Sequence, residues 1–138
     1  MNRILATACG LCFGLFALSL LLTSCGGGNV LSPKFQPQVA NLTDNFQFQA
    51  TGVTNVTQTL NYTWQNTGTA ASVNQATTVT GGGATLTIFD AGGTQAYTRS
   101  LADNGTFATA SGTTGNWRIN VVLSGYSGTI NFRVQKNP

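Results

Sequence analysis

From Asn45 to the end of the chain, apolar and polar residues alternate with a period of two, the signature of strands buried on one face and wet on the other. Phe46, Phe48 and Ala50 alternate with Gln47, Gln49 and Thr51, and Val56, Leu60, Tyr62 and Trp64 share a parity opposite Thr57, Thr59, Asn61 and Thr63. A weaker candidate covers residues 71–80 and stops at the Gly81-Gly82-Gly83 triplet. Leu86 and Ile88 then lead to a turn at Asp90-Ala91-Gly92-Gly93, a short strand covers 94–100 before Asp103-Asn104-Gly105, and Phe107 centres another strand. No stripe of helical period appears after residue 24. Seven to eight short strands with turns about every ten residues predict an all-β domain, an antiparallel β-sandwich of jelly-roll-like kind.

The end of the chain gives the sharpest expectation. Trp117, Ile119, Val121 and Leu123 alternate with polar residues, as do Ile130, Phe132 and Val134, and Gly125-Tyr126-Ser127-Gly128 lies between the two runs. Read as a hairpin with Tyr126-Ser127 at its tip, this pairs Leu123 with Ile130, Val121 with Phe132 and Ile119 with Val134. A slip of one residue would turn every apolar side chain outward. In that register Tyr126 projects into solvent as a stacking platform, and Arg118 and Arg133 become diagonal neighbours on the outer face. The three are the candidate ligand-binding residues, the arginines as a planar fork for a carboxylate or sulfate. Trp64 and Trp117 share the parity of the core and are expected to pack there.

The first 24 residues follow a different rule. Met1-Asn2-Arg3 supplies a positive start, and residues 4–22 form a nearly unbroken apolar run, the outline of an export signal. The run ends in Leu22-Thr23-Ser24-Cys25-Gly26, which resembles the bacterial lipobox. The resemblance implies that the Cys25 thiol receives a diacylglycerol and that the peptide bond before it is cut. The new amino terminus is then acylated, with a chain such as palmitate. Several acyl chains on one residue give stable anchoring, at about 0.8 kcal/mol per buried CH₂. Gly26 in place of an Asp favours the outer membrane, if the cell has two membranes. The expected organisation is a lipoprotein signal peptide at 1–24, a flexible Gly- and Pro-punctuated tether at 25–41, and a β-sandwich domain at 42–138. Cys9-x-x-Cys12 falls inside the discarded segment, so its spacing points to neither a redox pair nor a zinc site.

A second resemblance rests on the segment from Leu86-Thr87-Ile88-Phe89-Asp90-Ala91-Gly92-Gly93-Thr94 through Gly115-Asn116-Trp117-Arg118-Ile119-Asn120-Val121 to Gly128-Thr129-Ile130-Asn131-Phe132-Arg133-Val134. It is similar to the bacterial pre-peptidase C-terminal domain, in which a strand ends in an Asp-x-x-Gly turn and a Gly-x-aromatic strand, a Gly-rich turn and a closing strand follow. The resemblance implies a jelly-roll-like sandwich accessory to exported proteins, with relatives that bind collagen or carbohydrate. Acidic residues just before Leu86 are missing from this chain, a departure at the place where calcium ligands would be matched.

Composition narrows the chemistry. Only 7% of the 138 residues are charged, six Lys and Arg against three acids, with no His. A Ser or Cys nucleophile has no imidazole to activate it. A glycosidase would need two carboxyl groups from Asp44, Asp90 and Asp103, and the last two sit in Gly-containing turns where Asp caps its own backbone. No enzymatic activity and no cofactor are expected, and one carboxylate per turn near Asp90 or Asp103 makes a poor calcium ligand set. The formal net charge of +3 is too small and too scattered for nucleic acid. The function expected is a lipid-anchored, non-enzymatic envelope module that meets the membrane through its lipid and binds a glycan or an envelope protein. The alternative is a structural or self-associating surface lipoprotein.

Overall fold

A computed structural model describes residues 35–138 of the chain. The signal segment, Cys25 and the first part of the tether lie outside the described residues. The fold is all-β and antiparallel: β1 (Gln38–Leu42), β2 (Asn45–Asn66), β3 (Ala71–Gln75), β4 (Thr78–Phe89), β5 (Gln95–Ser100), β6 (Gly105–Ala108) and β7 (Gly115–Lys136). The strand order is β1-β2-β7-β3-β6, with β4 pairing β7 and β5 pairing β4.

Two strands of 22 residues, β2 and β7, run through the whole molecule and pair with one another. Straight strands of that length would reach about 70 Å at 3.2–3.4 Å per residue. They bend instead. The rings of Phe46 and Tyr62, both on β2, lie 5.4 Å apart, whereas sixteen residues of straight strand would separate them by about 50 Å. The sheet therefore folds over on itself into two facing layers. The first holds β1, residues 45–50 of β2, residues 130–136 of β7, β3 and β6. The second holds residues 58–66 of β2, 115–123 of β7, 84–89 of β4, and β5. Hydrogen bonds tie the two layers along one side, where Asn41 Nδ2 donates to the Thr63 carbonyl at 2.8 Å and Trp64 Nε1 to the Leu42 carbonyl at 3.0 Å.

The bend lies where the ladder loses register, between Ala50 and Gln58 on β2 and between Val79 and Gly83 on β4. Gly82, at φ +63°, sits so close to the facing strand that a Cβ would overlap the carbonyls of Ser124 and Gly125. Extra residues at such irregularities bend a strand and increase its twist.

Inward parity is as the alternation predicts. Phe46, Phe48, Phe132 and Val134 of the first layer are buried against Trp64, Trp117, Ile119 and Val121 of the second. Phe48 and Phe132 stack with ring centres 5.2 Å apart, and Trp64 meets Trp117 edge to face at 6.0 Å. Both indole N–H groups are satisfied, the second by the Thr113 carbonyl at 2.7 Å, as buried Trp requires.

Three expectations change. The final hairpin does not exist: β7 is continuous through Gly125 to Gly128, and Ile119, Val121, Phe132 and Val134 pair with Tyr62, Leu60, Phe48 and Phe46 of β2. Period two fixes the face of each residue but not its partner, so the faces survive and the pairing does not. The Gly81-Gly82-Gly83 triplet lies inside β4, and the break in the predicted strand over 71–80 falls at Ala76-Thr77 instead. Residues 38–41, expected to belong to the flexible tether, lie in β1, and Phe35 ahead of them is fully buried.

Candidate functional site

The structure separates the three residues expected to form a binding cluster. Tyr126 is not at a hairpin tip but at the bend of β7, fully buried, with its hydroxyl donating to the Thr78 carbonyl at 2.7 Å. Burial pushes its phenol up to about 12. The flanking glycines that read as a tip instead let the backbone turn over a core aromatic, and Tyr126 therefore has no surface for a ligand.

Arg118 and Arg133 share one strand fifteen residues apart and lie on the outward faces of different layers, so they form no fork. Arg118 pairs in register with Thr63 and Phe89, and its guanidinium lies over the Phe89 ring at 4.2 Å. Arg133 stands between Gln47 of β2 and Asn74 of β3.

The surroundings of Arg133 form a polar surface. Across the first layer, register aligns Ala40, Gln47, Arg133, Asn74 and Thr106 in one row over five strands. Residues directly opposite one another on adjacent strands have Cβ atoms about 4.5–5.5 Å apart, so this is a continuous ladder. Asn74 Nδ2 donates to Thr106 Oγ1 at 2.8 Å, which fixes the far end. Gln49 and Asn131 form the row on one side, Gln135 and Ser72 the row on the other. Between them runs a groove of about 340 Å³ lined by Gln47, Ser72, Asn74, Thr106, Asn131, Arg133 and Gln135. Two smaller depressions lie beside it toward β1, one lined by Gln38, Val39, Ala40, Gln47 and Gln49 and the other by Gln36, Gln38, Gln49 and Thr51. No sequence pattern shows the neighbours of Arg133, because β3 reaches β7, and β6 reaches β3, from distant parts of the chain. Their polar parity was visible, but their adjacency was not.

Each carboxylate is engaged elsewhere. Asp90 caps the turn after β4 as expected: Oδ1 accepts from the backbone N–H groups of Gly92 and Thr94 at 3.0 and 2.8 Å, and Oδ2 from that of Thr113 at 2.8 Å. These donors, Thr113 first, hold its carboxyl below the usual range. Both oxygens thus accept from backbone N–H groups. Asp103 pairs with Arg99 at 3.5 Å on the surface. Asp44, in the turn between β1 and β2, accepts from the Thr67 backbone N–H at 2.7 Å and pairs with Lys136 at 3.4 Å, and the Thr67 N–H is the main reason its carboxyl is also lowered. Among the described residues no three His, Cys, Asp or Glu come together as metal ligands, and no helix is long and apolar enough to cross a membrane.

No family model and no curated protein matches the chain. Among solved structures, one described as accessory secretory protein 1, 2 and 3 in Streptococcus pneumoniae is similar at 10% identity. The match covers 74% of this chain and 86% of that chain, with a TM-score of 0.38.

Proposed function

We propose that the chain is a lipid-anchored, non-enzymatic protein of the bacterial cell envelope, with the β-sandwich serving as a recognition module for a glycan or an envelope protein. The observation that carries this reading is the Leu22-Thr23-Ser24-Cys25-Gly26 motif, ten residues ahead of the buried Phe35. At 3.3–3.6 Å per residue, ten residues span at most about 35 Å, so a lipid on Cys25 keeps the sandwich close to the membrane surface. If the cell has two membranes, the outer one is favoured. The lack of His throughout the chain and the engagement of all three carboxylates support a binding role over a catalytic one.

Growth of the native host with an alkyne fatty acid, followed by intact mass of the extracted protein, tests the anchor. Removal of residues 1–24, a diacylglycerol on Cys25 and loss of the label in Cys25→Ala are expected. A full-length, unlabelled chain would refute the reading.

One observation favours a second reading, self-association. β1 is an edge strand without a charged residue and with Leu42 62% exposed, so it lacks the charge that commonly blunts sheet edges. Sedimentation of the detergent-solubilised protein over a concentration series distinguishes the two readings, since dimers sensitive to Leu42→Lys follow only from the second.

A further inference from the structure

Resting on the recognition reading above, we propose that the outward face of the first layer, centred on Arg133, binds a carboxylate-bearing polysaccharide laid across the strands. Charge selects the ligand first. Among the described residues, Lys136 is paired with Asp44, Arg99 with Asp103, and Arg118 is spread over the Phe89 ring. Arg133 has no carboxylate within 4 Å and no aromatic ring beneath it among the described residues. No acid occurs in its row or in the two flanking rows. Its positive field is thus unopposed by the face it stands on, and a guanidinium presents a planar donor fork that matches a carboxylate in bidentate fashion.

The rest of the face selects the polymer. Gln47, Gln49, Asn74, Thr106, Asn131 and Gln135 offer amides and hydroxyls, each able to donate and accept. These suit the hydroxyl-rich rim of a sugar chain. With strands 4.7–4.9 Å apart, the row from Gln47 to Thr106 is about 15 Å long, and the depressions at Gln38 and Gln49 extend it toward β1. A small anion would use Arg133 alone, whereas an extended chain uses the whole row. A protein partner is disfavoured, because the centre of a protein interface is enriched in apolar and aromatic anchors, whereas the nearest neighbours of Arg133 (Gln47, Asn74, Asn131 and Gln135) are all polar and the exposed Leu42 lies two strands away at the β1 edge. A nucleic acid is disfavoured because one cation neutralises too few phosphates.

The test uses the protein as extracted from the native host in detergent, with polygalacturonate as the acidic probe, dextran as the neutral one and polyphosphate as a non-sugar polyanion. Retardation in affinity electrophoresis by polygalacturonate, at least about tenfold stronger than by either other polymer, is expected, and it should weaken with added salt. Arg133→Gln should lower that affinity at least about tenfold, the scale of a lost charge-assisted pair. Arg133→Lys should recover only part of it, Asn74→Ala should weaken it less than Arg133→Gln, and Arg118→Gln should leave it unchanged. An unchanged urea midpoint in Arg133→Gln separates lost binding from lost folding.

Equal retardation by polyphosphate would show simple ion exchange and overturn the proposal. So would binding that is indifferent to Arg133, or no binding of polygalacturonate at all. Fatty acid labelling at Cys25 is read independently: a labelled protein that ignores acidic polysaccharide refutes this inference and leaves the anchor standing.

Discussion

Tyr126 offers the sharpest contrast between a solvent-facing aromatic and a structural one. Its ring is fully buried at the bend and its hydroxyl donates at 2.7 Å to the Thr78 carbonyl, which packs directly on Gly128. Tyr126→Phe keeps the ring and removes the donor, which costs about 1 kcal/mol for one neutral hydrogen bond and lowers the melting temperature by roughly 4–8 °C in a domain of this size. Tyr126→Ala also removes a large buried aromatic, and large-to-small truncations of that kind cost about 3–5 kcal/mol. Urea unfolding followed by the fluorescence of Trp64 and Trp117, both fully buried, reports each value. A further signature separates the hydroxyl from the ring. An unfolded tyrosine ionises near pH 10, whereas the folded phenol is pushed up to about 12 by burial. The wild type therefore holds this stabilisation in full below about pH 10 and loses it as pH rises toward 12. Tyr126→Phe should lose less stability over that interval than the wild type. If both substitutions left the unfolding free energy from urea titration within about 0.5 kcal/mol of wild type, as exposed positions do, the placement of Tyr126 in the core would be wrong.

Glycines at the bend should divide by their surroundings. Gly52 and Gly82 share φ +63°, but a Cβ at Gly52 meets nothing whereas one at Gly82 overlaps the facing backbone. Gly52→Ala should cost about 1–2 kcal/mol, the left-handed penalty alone, while Gly82→Ala should yield little folded protein, measured as soluble yield and thermal midpoint. Asp90 governs an acid transition. Because backbone N–H groups lower its folded carboxyl, its contribution is present above about pH 4, the unfolded value, and disappears as pH falls through the folded one. Asp90→Asn, with one acceptor oxygen for three donors, should melt lower at pH 7 and show a shallower acid-side decline. Equal slopes in a pH series of thermal melts would contradict this.

The alternation of apolar and polar residues was enough to sort Phe46, Phe48, Trp64, Trp117, Ile119 and Phe132 to the interior, because a strand side chain has only two faces to choose between. The Asp90-Ala91-Gly92-Gly93 turn was equally legible, since its capping is local. What the sequence hid was long-range. A strand that bends in its middle and a hairpin that reverses there carry the same inward parity, and a Gly-Tyr-Ser-Gly segment suits either. The choice is made by β2, whose own irregular middle lies opposite and whose Phe46, Phe48, Leu60 and Tyr62 match β7 from end to end. β1 was hidden for a different reason: Gln38-Val39-Ala40-Asn41-Leu42 has no amphipathic signal because every residue of this edge strand is exposed.

The same bend explains why the two arginines, adjacent in the hairpin reading, have different surroundings in the folded chain. Continuing β7 through Gly125–Gly128 carries residue 118 into one layer and residue 133 into the other. Each then takes its neighbours from whichever strand flanks β7 there. β4 supplies Phe89 to Arg118, which spends its guanidinium on a ring. β2 and β3 supply Gln47 and Asn74 to Arg133, and neither residue can neutralise it. An unneutralised guanidinium on a sheet of amides gives this molecule a polar surface with one sign of charge, and that asymmetry follows from the topology more than from the small net charge of the chain.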